Sequence, residues 1–205
     1  EVVIVDDGST DETADTAGEM LGARWPQDQV RYVRQKNMGA ATARNHGLRI
    51  SRGAYVQFLD SDDLLMPSKI VKQIAILDSP QSSEAACCYC YGMMGVVSQD
   101  TTSVPATRIG SAANDPKVLV RELCSRRVHG MQTSAPLWRR SHLMNHAGWR
   151  EDISLGDDLE YHIRLLADAK KICFIEEELF FVREHPGSRL SADQISASSL
   201  GSLIK

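Results

Sequence analysis

The apolar residues in the first part of the chain form short continuous runs, and a stretch with helical spacing follows most of them. Three runs predict strands, at 2–5, 30–33 and 55–59. The first run, Val-Val-Ile-Val, is β-branched throughout, which is typical of a strand buried on both faces of a parallel sheet. Helices are predicted over 9–21 and 40–50. The order strand–helix–strand–helix–strand, with short links, predicts right-handed crossovers and a largely parallel sheet.

The remaining elements are predicted from apolar density and helical spacing. A helix beginning at Ile70 has Ile70, Ile74 and Leu77 on one face, and the strand that follows at 85–97 is expected to be central. Residues 98–114 are rich in Thr, Ser, Pro, Ala and Gly and predict a loop. The other predictions are helices at 116–123, 141–146 and 155–167, a strand at 134–138, and a strand pair within 172–182 that three glutamates interrupt.

Length and composition are those of an ordinary globular protein. The chain has 205 residues, 42% of them hydrophobic and 24% charged, and most simply forms one domain with a real core. Its formal net charge of −4 gives no electrostatic reason to expect a nucleic-acid partner. The apolar runs fall well short of the roughly 20 residues needed to cross a bilayer, so no transmembrane segment is expected.

Five cysteines are present, and three of them are crowded together at Cys87, Cys88 and Cys90. Their spacing matches neither a zinc ribbon nor a redox pair. We therefore predict buried thiols in a core strand and a reducing compartment, which points to a cytoplasmic location that includes the inner face of the membrane.

An acidic cluster directly follows the third predicted strand, where the apolar run stops at Asp60, Asp62 and Asp63. In open α/β sheets, ligands bind at the carboxyl ends of the strands. Carboxylates this close repel one another unless a cation lies between them, so the cluster indicates a divalent metal site. The alternative is a polar turn without a ligand, because Asp and Ser are common turn residues.

Two further acidic pairs lie at element junctions. Asp6 and Asp7 follow the first strand, and Asp157 and Asp158 open a helix after Gly156. If the first and third strands are parallel neighbours, the first pair meets the acidic cluster at one sheet edge. The pair at 157–158, taken alone, is explained by favourable interaction of carboxylates with the amino end of a helix.

Together these motifs resemble the family-2 glycosyltransferases of the GT-A fold, and the resemblance spans nearly the whole chain in the expected order. The matching stretches are VVIVDDGSTDET at 2–13, NMGAATARNHGL at 37–48, FLDSDD at 58–63, GDDLEYHIRL at 156–165 and VREHPGSRLS at 182–191. The resemblance implies a three-layer α/β/α domain with a mostly parallel central sheet. Residues 1–97 would form its nucleotide-sugar-binding half and residues 98–205 its acceptor-binding half.

The resemblance also implies an activity, which is inverting transfer of a sugar from a nucleotide-diphosphate sugar to an acceptor hydroxyl. The acceptor would be a saccharide, a lipid-linked molecule or a protein, as in cell-surface polysaccharide biosynthesis. Mn²⁺ or Mg²⁺ would be the cofactor, because a cation must lie between the carboxylates and the diphosphate.

On the donor side, the resemblance implies that Asp62 is the main metal ligand and that Asp60 contacts the ribose or the metal. Asp7 would accept a hydrogen bond from the base. Asn37 and Gly39 would shape the nucleotide pocket, with Gly39 allowing close backbone approach.

On the acceptor side, the resemblance implies that Asp158 is the catalytic base. Asp157 stands where the family more often has Glu and would orient its neighbour. Arg44 would contact the nucleotide or phosphate, or else pair locally on its helix. His185 would reach the metal or diphosphate, or else be structural. Asp63 is predicted to be structural.

Three aromatic residues, Trp138, His146 and Trp149, are placed on the acceptor side, where the tryptophans would stack on a sugar or belong to the core. One departure from the family concerns the start of the chain, because the family pattern begins with a further strand and helix of roughly 25–35 residues. From this we expect an N-terminally truncated domain that is weakly active or that forms a homo-oligomer.

Two other classes of protein share parts of the pattern. A phosphoreceiver domain would also place acidic residues after two strands, but Pro67 lies seven residues after Asp60, too far for its turn, and the chain is longer than a receiver. A haloacid-dehalogenase-like phosphatase would need a small hydroxyl residue where Leu64 stands. A non-catalytic sugar-nucleotide-binding protein with the same fold stays open as an alternative.

Overall fold

The computed structural model of the protein describes residues 1–24, 26, 29–95, 107–125, 131–153 and 155–183. The elements in these ranges are β1 (Val2–Asp6), α1 (Thr13–Arg24), β2 (Val30–Arg34), α2 (Ala40–Ile50), β3 (Tyr55–Gln57), β4 (Leu64–Leu65), α3 (Lys69–Leu77), a 3₁₀ turn (Pro80–Ser82), β5 (Ala85–Gly95), β6 (Thr107–Ile109), α4 (Pro116–Cys124), β7 (Leu137–Arg139), α5 (Arg140–Met144), α6 (Asp157–Ala167) and β8 (Lys171–Arg183). The predicted α/β class is confirmed, and none of the described helices is long and apolar enough to span a membrane.

The described strands form two sheets. β1 and β2 pair in parallel, and the larger sheet has the order β3-β7-β5-β8-β4, with β6 paired to β5. Within the larger sheet only β5 and β8 are parallel, and the other pairings are antiparallel. The prediction that β3 continues a parallel sheet with β1 and β2 is therefore wrong for the described strands, since β3 pairs with β7. Hydrophobic patterning indicates that a segment is extended, but it does not identify the partner strand.

The centre of the core is β5, as predicted. Cys87, Cys88 and Cys90 are buried free thiols, and Cys173 on β8 is buried beside them, whereas Cys124 at the end of α4 is exposed. Burial raises the pKa of Cys88 to about 12 and that of Cys90 to about 11. The three clustered cysteines therefore act as small apolar residues in the core, as the sequence indicates.

Strand β1 is less buried than predicted. Val2 and Ile4 are 50% and 37% exposed, while Val3 and Val5 are half-buried on the other face. Only that other face is packed on α2, where Gly47 leaves room for Val5. The prediction of burial on both faces is wrong because a β-branched run reports strand preference and not the number of layers that cover the strand.

Two other predictions are corrected near the ends of the larger sheet. The predicted strand pair at 172–182 is one strand, β8, in which Ile175 pairs with Cys90 and Glu178 with Tyr91, so that the glutamates form a bulge. The predicted loop at 98–114 contains β6, and its residues 98–106 lie outside the described residues. The tail from residue 188 also lies outside them.

Candidate active site

The acidic cluster lies in a turn that leaves the core at Phe58. The Phe58 ring packs edge-on against Trp149 at 5.3 Å and against Tyr161 at 6.0 Å, which anchors the end of β3. The Asp63 amide then donates a hydrogen bond of 3.1 Å to the Asp60 carbonyl and closes the turn, and β4 follows immediately. The chain therefore reverses over the residues predicted to carry the chemistry.

The three carboxylates of this turn differ in their surroundings. Asp63 is buried and accepts a hydrogen bond of 2.7 Å from the Ser134 hydroxyl, in agreement with a structural role. The Asp60 side chain is 36% exposed. The Asp62 carbonyl accepts a hydrogen bond from the Arg183 guanidinium at the end of β8. Arg183 lies two residues before the predicted His185, but His185 itself is outside the described residues.

Arg44 on α2 connects the acidic turn to the amino end of α6. Its guanidinium donates to Asp60 Oδ1 at 2.7 Å and to Asp157 Oδ2 at 2.8 Å. The same group lies over the Trp149 ring, 4.5 Å from its centroid. The structure thus brings together three residues that are 16 and 113 positions apart in sequence, and one cation compensates both carboxylates.

The position of Trp149 depends on Asn45, the residue after Arg44. The Asn45 side chain donates to the Trp149 carbonyl at 2.8 Å and accepts from the Trp149 amide at 2.7 Å. Gly148 leaves the space for this contact, since a Cβ there would lie 2.3 Å from Asn45 Oδ1. Sequence reasoning gave Asn45 no role, although it lies within the motif at 37–48.

Asp158 follows the paired Asp157 at the start of α6, and its environment suits a proton acceptor. Burial raises the pKa of Asp158, and the neighbouring Asp157 raises it further, while a hydrogen bond from the Leu159 amide to Oδ1 (2.7 Å) and the charge of Arg44 oppose the rise. Within the described part of the chain, no donor contacts the other oxygen, Oδ2. That oxygen can therefore receive a proton.

The acidic pair after β1 is engaged in the local structure. Asp6 is buried and accepts from the Tyr32 hydroxyl at 2.5 Å and the Ser9 amide at 2.7 Å, and these hydrogen bonds lower its pKa to about 2. Asp7 accepts from the Gln35 amide side chain at 2.8 Å. It also accepts from the backbone amides of Met38 (2.9 Å) and Gly39 (2.7 Å).

Asp7 therefore holds the turn at 35–39 in place, and this turn carries the predicted pocket residues Asn37 and Gly39, both exposed. Gly8 permits the close approach, because its φ is +78° and a Cβ would lie 2.8 Å from the Asn37 nitrogen. In this structure β1 and β3 are not paired, and the donor-side residues and the acidic turn are connected through α2.

The aromatic residues predicted on the acceptor side belong mainly to the core. Trp138 and Trp149 are 0% and 2% exposed, which excludes the stacking of a sugar on either ring in this conformation. Trp138 stacks on His142 and on His162. His146 lies nearer the surface, where its Nε2 is 3.2 Å from the Asp168 carboxylate.

The carboxylates of the acidic turn fit a cation only in combination with a substrate. No three His, Cys, Asp or Glu side chains converge on a common point in the described ranges. Mg²⁺, however, is commonly held by one or two protein carboxylates together with substrate phosphates and water. Asp60 and Asp62 supply carboxylates of that kind. In this structure the positive charge of Arg44 compensates the negative charge of Asp60.

Comparison with known proteins gives the family. The sequence profile of glycosyl transferase family 2 matches residues 1–140. The chain is 25% identical over 194 residues to the uncharacterized glycosyltransferase EpsJ of Bacillus subtilis (strain 168), covering 92% of this chain and 54% of EpsJ. It is 29% identical over 194 residues to the succinoglycan biosynthesis protein ExoU of Rhizobium meliloti (strain 1021), covering 83% of this chain and 50% of ExoU.

Two solved structures show the same fold. S. aureus TarS 1-349 in complex with UDP-GlcNAc has a TM-score of 0.70 at 19% identity, covering 96% of this chain and 53% of the TarS chain. The mannosyltransferase PcManGT from Pyrobaculum calidifontis, in complex with GDP-Man and Mn²⁺, has a TM-score of 0.59 at 19% identity, covering 93% and 49%. The chain therefore belongs to glycosyl transferase family 2 and has the GT-A fold. It spans about half the length of these relatives.

Proposed function

We propose that the protein transfers a sugar from a nucleotide-diphosphate sugar to an acceptor hydroxyl with inversion at the anomeric carbon, in a reaction that depends on a divalent cation. The observation that carries the proposal is the Arg44 bridge, which holds donor-side Asp60 next to acceptor-side Asp157 and Asp158. The ligands of the fold relatives, UDP-GlcNAc for TarS and GDP-Man with Mn²⁺ for PcManGT, support a donor of this class.

In this proposal Asp158 is the general base. The acceptor hydroxyl oxygen forms a bond to the anomeric carbon while the bond from that carbon to the diphosphate oxygen breaks. The hydroxyl proton passes to Asp158 Oδ2, and the electron pair of the broken bond leaves with the diphosphate. The raised pKa of Asp158 brings its basicity closer to that of the group it must deprotonate. Asp157 orients the site through Arg44.

The donor would be bound by two turns within residues 1–97, the acidic turn at 60–63 and the turn at 35–39. Asp60 and Asp62 would ligate Mn²⁺ or Mg²⁺, which when bound neutralises charge on the diphosphate leaving group. Arg44, which pairs with Asp60 in this structure, would be placed beside the diphosphate as a hydrogen-bond donor. The turn at 35–39, which Asp7 holds, would contact the nucleotide through Asn37 and Gly39.

The acceptor class is proposed from the relatives. ExoU is named a succinoglycan biosynthesis protein, which favours a saccharide acceptor in polysaccharide assembly, while lipid-linked and protein acceptors fit the same chemistry. The free buried thiols are compatible with a reducing, cytoplasmic location.

The test is nucleotide release from a panel of nucleotide sugars with Mn²⁺ or with EDTA. We expect Asp158→Asn to lower turnover by at least about 100-fold while donor binding is retained, because the base is lost and its shape is kept. Asp152→Asn is the matched control, since Asp152 is an exposed residue paired with Arg150. Unchanged turnover in Asp158→Asn would remove the base assignment. Donor binding without release in the unmodified chain would favour a non-catalytic binding protein.

A further inference from the structure

Lys69, the first residue of α3, is fully buried although it carries a charge. It is 0% exposed, and among the described residues no carboxylate forms an ion pair with it. Its ammonium instead donates to two neutral amide oxygens, Gln57 Oε1 at 2.5 Å and Gln73 Oε1 at 2.7 Å. Burial lowers the pKa of Lys69 to about 8. A buried lysine without a counter-ion costs stability, so its presence calls for a reason other than packing.

The two glutamines are oriented by this ammonium. An ammonium only donates hydrogen bonds, so each amide must turn its oxygen to Lys69 and its nitrogen away. The Gln57 nitrogen then donates to the Phe58 carbonyl (2.5 Å) and the Ser134 carbonyl (3.2 Å). The Gln73 nitrogen donates to the carbonyls of Cys88 (2.7 Å) and Ala135 (3.1 Å). One charge therefore orients the contacts to four carbonyls in three segments: the residue after β3, strand β5 and the two residues at 134–135 before β7.

The two branches reach neighbouring carbonyls before β7, those of Ser134 and Ala135, but they differ in their second contact, which is Phe58 for Gln57 and Cys88 for Gln73. The Gln57 branch leads to the acidic turn, because Phe58 is two residues before Asp60 and the Ser134 hydroxyl holds Asp63 at 2.7 Å. The Gln73 branch ends on β5 and on the segment before β7. The same ammonium thus supports the turn through one glutamine and the sheet through the other.

We propose that Lys69 is a positioning residue for the acidic turn at 60–63, acting through Gln57, Ser134 and Asp63. The proposal rests on the proposed function, since the turn is where Asp60 and Asp62 would hold the cation. Without the ammonium, the Gln57 amide is free to rotate, and the end of β3 and the turn lose a fixed geometry. The effect falls on cation affinity and not on turnover at saturating cation.

The two glutamines make the proposal testable with methionine substitutions, which keep the length of the side chain. Two readouts are needed: hydrogen exchange of the Asp63 amide in cation-free protein, and the Mn²⁺ concentration that gives half-maximal nucleotide release. We expect Lys69→Met and Gln57→Met to raise both the exchange rate and the half-saturating Mn²⁺ by about tenfold, the equivalent of one hydrogen bond to a charged group. Turnover at saturating Mn²⁺ should stay within about threefold.

Gln73→Met is the internal comparison, and Lys72→Met is the surface control. Gln73→Met removes the other acceptor of the same ammonium, so it should lower the melting temperature while the half-saturating Mn²⁺ changes less than about twofold. Lys72, on the same helix as Lys69, forms an exposed ion pair with Glu177 of β8, and its substitution should change neither readout. If Lys69→Met does not fold, the comparison of Gln57→Met with Gln73→Met decides, because both retain the charge.

Equal changes in Gln57→Met and Gln73→Met, in proportion to their loss of stability, would overturn the proposal and leave Lys69 a purely structural residue. No change in Lys69→Met would overturn it as well. Failure of the proposed function looks different: the unmodified chain then releases no nucleotide at any Mn²⁺ concentration. In that case the Asp63 exchange rates in cation-free protein still decide whether Lys69 positions the turn.

Discussion

Two strands of the protein are followed by a pair or cluster of aspartates, and the two groups are held in different ways. After β1, Asp6 and Asp7 are satisfied by their own neighbourhood, chiefly backbone amides, Tyr32 and Gln35. After β3, Asp63 is hydrogen-bonded to Ser134, next to the buried polar network of Lys69. Asp60 is paired with the guanidinium of Arg44. The two groups occupy similar places at strand ends but differ in their partners, and from that difference we predict a structural role for Asp6 and a chemical one for Asp60.

Neutralising one aspartate in each group should have opposite effects on activity and stability. We expect Asp60→Asn to lower kcat/KM for nucleotide release by about 1,000-fold with little change in melting temperature, because the site loses a cation ligand and a partner of Arg44. Asp6→Asn should do the reverse. It lowers the melting temperature by several degrees, since an amide nitrogen now faces a hydroxyl or amide donor, and it leaves activity within about fivefold. Steady-state kinetics and thermal melts check both, and similar behaviour of the two variants would contradict the distinction.

A second prediction concerns the core behind α6. His162 is fully buried, its Nδ1 donates to the Met131 carbonyl at 2.8 Å, and burial lowers its pKa from 6.5 to about 4. Below pH 6.5 His162 therefore binds a proton in the unfolded chain, whereas in the folded protein it does so only near pH 4. The stabilising contribution is complete above pH 6.5 and is lost as the pH falls towards 4, by up to about 3 kcal/mol.

Denaturant unfolding at pH 7, 6, 5 and 4 measures this loss. His162→Asn keeps a donor for the Met131 carbonyl and cannot be protonated in this range, so its stability should fall less steeply with acid. An identical slope in the substituted and unmodified proteins would show that other groups carry the acid sensitivity.

Loss of the Arg44 charge should also change the pH dependence of the reaction. Arg44 lowers the pKa of Asp158, against burial and Asp157, which raise it. A base must be ionised to act, so activity rises with pH through this pKa. Arg44→Met should shift the acid limb of the kcat profile to higher pH, because a charge that lowers the pKa of Asp158 is removed. Arg150→Met, on the exposed pair with Asp152, is the control, and a shift to lower pH in Arg44→Met would contradict the assignment.

The sequence was sufficient where the signal is local. The strand leading to Asp60, the helix that Asp157 opens and the apolar strand at Cys87 all follow from short-range patterns, and the structure has each within a few residues of its predicted bounds. The family resemblance rests on the same local motifs and is confirmed.

Contacts between distant segments could not be predicted in this way. The bridge from Arg44 to Asp157 joins residues 113 positions apart, and nothing in either motif specifies the other. The buried face of α3 was predicted from Ile70, Ile74 and Leu77. The structure fully buries Lys69 and Gln73 with Leu77, while the two isoleucines are half-buried. Hydropathy predicts that lysine and glutamine are exposed. It therefore does not predict the burial of Lys69 and Gln73, which are four residues apart and hydrogen-bonded to each other.

The packing of the cysteines has a practical consequence for studying the protein in solution. Four of the five thiols are enclosed by the core, and burial raises the pKa of three of them, Cys87, Cys88 and Cys90. Cys124 is the exception, exposed at the last turn of α4. Because maleimides react with accessible thiolates, the native chain offers one attachment point for a fluorophore or spin label without any substitution.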